Sequence, residues 1–202
     1  LGIALAIGLF VLFPQFITEG FLRVANLESI NSIVKNLLVG VIRLLIFIAY
    51  IVLVSRIKDI KRLFAYHGAE HKVIACFESE MELNVENVRK NSRIHDRCGT
   101  TFLFLVMFIS IIFFSFFGWP TLWLRILSRI ILIPVVAGIS YEILKFTAKY
   151  DNLFVNIIKA PGKWLQKLTT NEPDDEMIEV AITAFNEVLE LDKDFSRPLK
   201  TF

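Results

Sequence analysis

The sequence predicts an all-α integral membrane protein with about four transmembrane helices, a helical cytoplasmic loop and a C-terminal amphipathic helix. Two observations predict this class. Of the 202 residues, 55% are hydrophobic and 19 are Phe, which exceeds the usage of ordinary soluble domains. The apolar residues are also gathered in long segments, and about 20 such residues suffice for a helix to cross a bilayer.

Four apolar segments divide the chain. They run from Leu1 to Thr18, from about Ile30 to Val54, from Thr101 to Phe117, and from about Leu122 to Leu144. Gly118 to Pro120 predict a tight turn, so the last two segments should form an antiparallel hairpin. The predicted organisation is therefore two transmembrane helices in 1–54, a cytoplasmic loop in 55–100, a transmembrane hairpin in 101–147 and a cytoplasmic C-terminal segment in 148–202.

Basic residues set the expected orientation. Nine Lys and Arg residues fall between Ser55 and Gly99, and the segment after Leu144 adds more, whereas the other connections carry almost none. Loops rich in Lys and Arg remain in the cytoplasm. The 55–100 loop and the C-terminus are thus expected to be cytoplasmic, with the lipid bilayer as the first partner. The net charge of +2 gives no indication of nucleic-acid binding.

The loop carries a histidine pair on a predicted helix. Apolar residues from Ile57 to Glu78 follow helical spacing, and His67 and His71 continue that stripe. Two imidazoles four residues apart on one face suit a single zinc ion. Glu70, between them, is a candidate catalytic base or a residue that orients a ligand. Asn84 is the expected N-cap of a second short helix.

His95 and Cys98 complete the cluster, because the chain has only three histidines and all lie in this loop. Nitrogen and sulfur donors favour zinc or another transition metal over magnesium or calcium. If His67, His71, His95 and Cys98 all bind, the site is closed and structural. If one is absent, a position remains for water, and Glu70 becomes a candidate general base. The sequence leaves both alternatives open.

Charged residues within the apolar segments form a second candidate site. Arg43, Arg129 and Glu142 are costly in lipid and are expected to face protein or water, where they would line a transport path. Arg125 is interpreted as snorkelling to the interface. Such a path would favour a homo-oligomer. The residues from Pro173 to Asp192 predict an amphipathic helix, which offers a surface for a cytoplasmic protein partner.

The chain resembles the YqhQ-like family of bacterial membrane proteins, for which metal-dependent enzyme activity has been predicted. The motifs that carry the resemblance are Tyr66 to Lys72, Val85 to Arg89, His95 to Thr101, Pro134 to Glu142, Pro161 to Gln166, Leu168 to Thr170, Glu172 to Asp175 and Glu179 to Ala181. The resemblance implies a bacterial cell-membrane location and leads us to expect a further Gly-rich segment ahead of Leu1. It implies no particular reaction.

These observations favour a metal-dependent membrane enzyme, with hydrolysis as the leading reaction. Histidines 67 and 71 would bind the metal and Glu70 would act as the base. One alternative is an oligomeric transport or channel protein whose metal is structural or regulatory. A second alternative is a membrane scaffold that binds a cytoplasmic partner through its C-terminal helix.

Overall fold

In the computed structural model, residues 1–118 and 120–194 are described, and within them the chain forms nine α-helices and no strand. Trp119, in the turn expected between the third and fourth apolar segments, lies outside the described residues. The helices are α1 (Gly2–Ile7), α2 (Phe13–Val24), α3 (Ser32–Val54), α4 (Lys58–Glu78), α5 (Val85–Lys90), α6 (Gly99–Ser115), α7 (Leu122–Lys149), α8 (Leu153–Thr169) and α9 (Asp175–Asp194). The predicted all-α class is confirmed.

The chain forms two compact units, and the first comprises residues 1–52 and 102–144. Three of its helical segments are long and apolar enough to cross a membrane by length and composition: Ala4–Val24, Ser32–Val54 and Trp123–Lys149. The apolar helix α6 is shorter, with 17 residues. At a rise of 1.5 Å per residue it is about 25 Å long, against a hydrocarbon core of about 30 Å.

A π-helical segment joins α1 to α2 over Gly8–Leu12. It ends two residues before Pro14, which occupies the first turn of α2. Proline has no backbone N–H and its ring collides with the carbonyl four residues earlier. The wider π turn accommodates this missing hydrogen bond without ending the helix, so that the apolar segment continues through Val24.

Two close contacts hold α3 in the first unit. A Cβ added to Gly40 would lie 2.6 Å from Ile111 of α6, so glycine is needed for this approach. The Asn36 side chain donates to the carbonyls of Phe117 (3.4 Å) and Gly118 (3.0 Å), at the turn between α6 and α7. These contacts place the polar side of α3 beside that turn.

The described part of the second unit comprises residues 53–101 and 145–194. Its core is formed by buried residues of α4, α5 and α9, namely Ala69, Val73, Cys76, Val88, Ile178 and Ala181. The short helix α5 begins at the predicted cap, where Asn84 Oδ1 accepts from the Asn87 N–H at 2.9 Å. The amphipathic helix α9 was also predicted, and its apolar residues Ile178 and Ala181 pack inside this unit. Helix α8 was not predicted.

Candidate metal centre

His67 and His71 lie one turn apart on α4, as their spacing predicted. Their ring centroids are 4.4 Å apart. His71 is buried and His67 is half-buried. The neighbouring residue Ala69 belongs to the buried core shared with α9, so α4 is fixed on that side while its histidines face α8 and the segment before α6.

Each histidine is held by a backbone carbonyl. His67 Nδ1 is 2.8 Å from the Thr169 carbonyl oxygen, and His71 Nδ1 is 2.7 Å from that of Arg93. A carbonyl only accepts, so each Nδ1 carries the proton. In the neutral rings the lone pair is therefore on Nε2. Metal-binding histidines are oriented in the same way, through a hydrogen bond from the other ring nitrogen.

Cys98 brings its sulfur to these nitrogens. The residue directly precedes α6 and is 3% exposed. Its Sγ lies 3.4 Å from His67 Nε2 and accepts from the Thr100 N–H at 3.4 Å. A ring nitrogen of His71 lies within 4.8 Å of the same sulfur. This position suits a thiolate, because the start of a helix supplies a free N–H and the positive end of the helix dipole.

The local electrostatics favour the thiolate. Burial alone raises the pKa of the Cys98 thiol, but hydrogen bonds from His67, His71 and Thr100 outweigh it and bring the pKa from 9.0 to about 5. The same contact with Cys98 raises the pKa of His67, against the opposing effect of burial. The cluster is thus a Cys98 thiolate that faces the imidazoles of His67 and His71.

The three donor atoms are close enough to share one ion. The ligand atoms of His67, His71 and Cys98 all lie within 4.8 Å of one another. Zinc–nitrogen bonds of about 2.0 Å and zinc–sulfur bonds of about 2.3 Å put tetrahedral ligands roughly 3.5 Å apart. The distance of 3.4 Å between His67 Nε2 and Cys98 Sγ agrees with that spacing.

Gln166 of α8 anchors the segment that carries Cys98. Its side chain is fully buried. It accepts from the His95 N–H at 3.0 Å, and it donates to the His95 carbonyl at 2.8 Å and to Thr101 Oγ1 at 2.7 Å. A Cβ on Gly162, one turn earlier, would lie 2.5 Å from Thr101 Cγ2, so this approach requires glycine. Together they fix the chain on both sides of Cys98.

Charged groups support the same segment. Asp96 is bound by Lys159 and Lys163 of α8, with both Nζ atoms 2.6 Å from its carboxylate. Burial raises the pKa of Asp96. The hydrogen bonds from the two lysines together lower that pKa by more than burial raises it, so the net shift is downward. Arg93 donates to the carbonyl of Thr170 and, at 2.8 Å, to its hydroxyl. The carbonyls of Arg93 and Thr169, which hold the histidines, are thereby positioned together.

Gly68 allows the chain that follows α8 to pack closely against α4. A Cβ at this position would lie 2.1 Å from the Asn171 carbonyl oxygen. That backbone is itself held, because the Asn171 N–H donates to the Phe64 carbonyl at 2.8 Å and its side chain donates to the Lys61 carbonyl at 3.0 Å. The close contact beside His67 is what brings the Thr169 carbonyl to His67 Nδ1.

His95 lies outside the group formed by the ligand atoms of His67, His71 and Cys98. Its Nε2 is 2.9 Å from Glu78 Oε2, and its Nδ1 accepts from the Arg97 N–H at 3.2 Å. Arg97 also pairs with Glu78. Both ring nitrogens are thus engaged, and the ring centroid is 5.9 Å from that of His71. Binding a metal would require His95 to give up one of these bonds.

Glu70 is also outside the group of ligand atoms. Its side chain is exposed and lines a groove between α4 and α9 with Tyr66, Val73 and Phe185. Glu70 lies next to His71 along α4, but on the flank of the histidine stripe rather than within it. It still acts on His67 through space, as the weakest of the influences that raise the pKa of that ring.

Arg43, Arg129 and Glu142 all lie in the first unit. Arg43 is close enough to Arg129 for the two charges to interact. Glu142 is exposed and lies 13 residues beyond Arg129 on the same helix, or about 20 Å along its axis. The structure therefore brings the two arginines together and leaves Glu142 apart from them.

Sequence reasoning missed the residues that hold the histidines. Arg93 and Thr169 contribute main-chain carbonyls, which no side-chain pattern reveals. Gln166 and Lys159 share one face of α8 with Val155, Gly162 and Leu165 at helical spacing, but as polar residues they give that face no apolar stripe. Pro161, next to that face, obscured the pattern.

Similarity to known proteins identifies the family of this chain. The chain matches the family model described as "Protein of unknown function (DUF1385)" over residues 1–191, and it belongs to that family. It is 41% identical over 184 residues to the uncharacterized protein YqhQ of Bacillus subtilis (strain 168), across 91% of this chain and 57% of that protein. The chain thus spans little more than half the length of this relative. No solved structure matches it.

Replacing Gly68 with alanine tests how the histidine is held. The added Cβ would collide with a fixed backbone oxygen, so Gly68→Ala should force α4 away from the chain after α8. Overpacking of this kind typically costs about 1–3 kcal/mol. We expect a lower midpoint of thermal unfolding for Gly68→Ala. Gly138→Ala is the control, because a Cβ there meets nothing within 4 Å. Equal behaviour of the two variants would contradict this account.

Proposed function

We propose that this member of the DUF1385 family is an integral membrane protein with a zinc-type site on its cytoplasmic side, and that it acts as a metal-dependent hydrolase. His67, His71 and Cys98 are the proposed ligands. The observation that carries the proposal is the convergence of three donor atoms within 4.8 Å, two of them imidazole nitrogens oriented by backbone carbonyls.

A cation resolves an imbalance of protons at the cluster. Because both Nδ1 protons are donated to carbonyls, each imidazole can donate to the Cys98 thiolate only by carrying a second proton on Nε2, which makes it positively charged. Two protonated rings side by side repel each other, and a neutral ring leaves its lone pair facing the sulfur anion in a buried place, which is unfavourable. A bound metal ion takes all three lone pairs at once. Two nitrogens and a thiolate suit zinc in particular.

Three ligands favour a catalytic site over a structural one. Structural zinc sites usually use four protein ligands, whereas catalytic sites use three and keep one position open. His95, the remaining candidate, is held by Glu78 and Arg97. When bound in such a site, zinc lowers the pKa of a water molecule and supplies a nucleophile for hydrolysis near neutral pH. His67, His71 and Cys98 position the ion, and the carbonyls of Thr169 and Arg93 keep the two rings in place.

A second candidate function uses Cys98 without metal. The pKa of about 5 and the contact with His67 resemble an activated cysteine beside a histidine base. The Thr169 carbonyl would orient the imidazole as the third group of such an arrangement. Cys98 is only 3% exposed, so a substrate would need an opening to reach either this sulfur or a metal bound by it. The nucleophile is the weaker of the two candidates because it leaves His71 without a role, whereas a metal uses both imidazoles.

The membrane topology is part of the proposal. Three long apolar helices and the shorter α6 give four crossings, of which α6 is the shortest. The Lys and Arg residues of the loop support a cytoplasmic position for the His/Cys cluster and the C-terminus in a bacterial cell. Helix α9 uses Ile178 and Ala181 within its own unit. That packing weakens the scaffold alternative, in which the same face would bind a partner.

Metal content tests the site most simply. Purified protein should carry about one zinc ion per chain, and Cys98→Ala should lose it, because the thiolate is one of three ligands. Elemental analysis after gel filtration measures this. Cys76→Ala is the matched control: Cys76 is the other buried cysteine of the same unit, and it packs in the core among α4, α5 and α9. We expect this control to retain zinc.

The same experiment separates the two candidate functions. Zinc absent from the wild type and not taken up after incubation would contradict the metal site and leave the cysteine nucleophile in front. Zinc retained by Cys98→Ala would contradict the assignment of the sulfur as a ligand.

Glu70→Gln tests the role expected from the sequence. Since the Glu70 side chain is exposed and lies outside the ligand group, we expect this variant to keep its zinc and to complement a deletion strain. A general base would behave differently, because its removal typically costs about 100- to 10,000-fold in rate while metal is retained. Failed complementation with normal zinc content would restore Glu70 as the base. A roughly 10- to 100-fold weaker zinc affinity would instead make it a residue that orients a ligand.

A further inference from the structure

Three arginines lie close together in the first unit, and none of them belongs to the His/Cys cluster of the second unit. Arg43 is in the middle of α3, and Arg125 and Arg129 lie one turn apart on α7. Arg43 and Arg125 both lie close enough to Arg129 to repel it. Arg125 is 8% exposed, so it is buried in the unit and does not snorkel as the sequence suggested.

The unit has too few carboxylates to balance these charges. Its sequence contains only Glu19, Glu28 and Glu142. Glu19 bonds Arg125 at 3.2 Å, whereas Glu28 pairs with Arg23 at 3.6 Å. Glu142 lies about 20 Å along α7 from Arg129. Among the described residues of this unit, Arg125 has a carboxylate partner and Arg43 and Arg129 have none, which leaves an excess of two positive charges.

Several of the guanidinium donors have no acceptor. Arg43 Nε and Nη2 and Arg129 Nη1 are buried and have no hydrogen-bond partner among the described residues. A buried charged donor without a partner is strongly unfavourable, and arginines within apolar segments usually mark a functional site. The stacking of Arg129 over the Phe114 ring, 5.7 Å from its centroid, offsets only part of this cost.

A cavity of about 550 Å³ opens beside the arginines. Its polar lining comes from Arg125, Arg129, Asn36 and Ser128, and its apolar wall includes Phe114 and Leu124. This volume is within the range of pockets that bind small molecules. The cavity thus offers guanidinium groups on one side and an apolar surface on the other.

We propose that this cavity binds a phosphate group, with Arg125 and Arg129 as its direct ligands and Arg43 adding positive charge beside Arg129. The planar fork of arginine matches phosphate oxygens; a dianionic phosphate would balance the excess charge and a monoanionic one would halve it. The phosphate is either inorganic phosphate or the headgroup of an anionic phospholipid, whose acyl chains would follow the apolar wall. This inference stands independently of the metal site.

The test uses the full chain purified in detergent. Sodium phosphate should raise the midpoint of thermal unfolding above that in sodium chloride of equal ionic strength. Arg129→Gln should reduce phosphate affinity by roughly 10- to 100-fold, which corresponds to the loss of one charge-assisted contact. Arg129→Lys, which keeps the charge and loses the fork, should weaken binding less. Arg23→Gln is the matched control, because it removes one positive charge of the same unit from an exposed position and should leave phosphate binding unchanged.

Native mass spectrometry identifies the source of the phosphate. Retention of phosphatidylglycerol over phosphatidylcholine by the wild type and Arg23→Gln, lost in Arg129→Gln, would assign the site to a lipid headgroup. Stabilisation by phosphate without lipid retention would assign it to the free anion. The proposal is overturned if neither ligand binds, or if Arg129→Gln binds as well as the wild type and Arg23→Gln.

Discussion

Two hydrogen bonds from imidazole N–H groups to backbone carbonyls organise the candidate centre. They fix the tautomers of His67 and His71 and direct both Nε2 atoms toward Cys98. The Thr169 carbonyl reaches His67 because Gly68 admits the chain after α8. The Arg93 carbonyl reaches His71 within a segment that Gln166 and Asp96 attach to α8. The site therefore depends on how α8 docks more than on any metal-ligand motif.

The helices with an apolar stripe or a long apolar segment could be predicted from sequence. Helix α4 followed its spacing, α3 and α7 followed hydropathy, and α5 followed the Asn84 cap. Helix α8 could not, because its buried face contains Lys159 and Gln166, and these polar residues are buried only through partners elsewhere in the chain. A hydropathy pattern reads such a face as solvent-exposed.

The candidate site was predictable to the level of residue type and not of orientation. Histidine is scarce in this chain, so its clustering identified His67, His71 and the region of Cys98. At 100° per residue, Glu70 lies about 60° from His67 and about 100° from His71 around the helix. Whether that flank faces the ligands or α9 is decided by packing. His95 likewise depends on Glu78, a partner 17 residues away that its local motif does not include.

X-ray absorption at the zinc K-edge of the purified wild-type protein tests the central claim most directly, because it reports the ligand shell rather than zinc content alone. We expect the bound zinc to have one sulfur ligand at about 2.3 Å and nitrogen or oxygen ligands near 2.0 Å. A spectrum with no sulfur ligand, from protein that binds zinc, would contradict the convergence of His67, His71 and Cys98 on one ion.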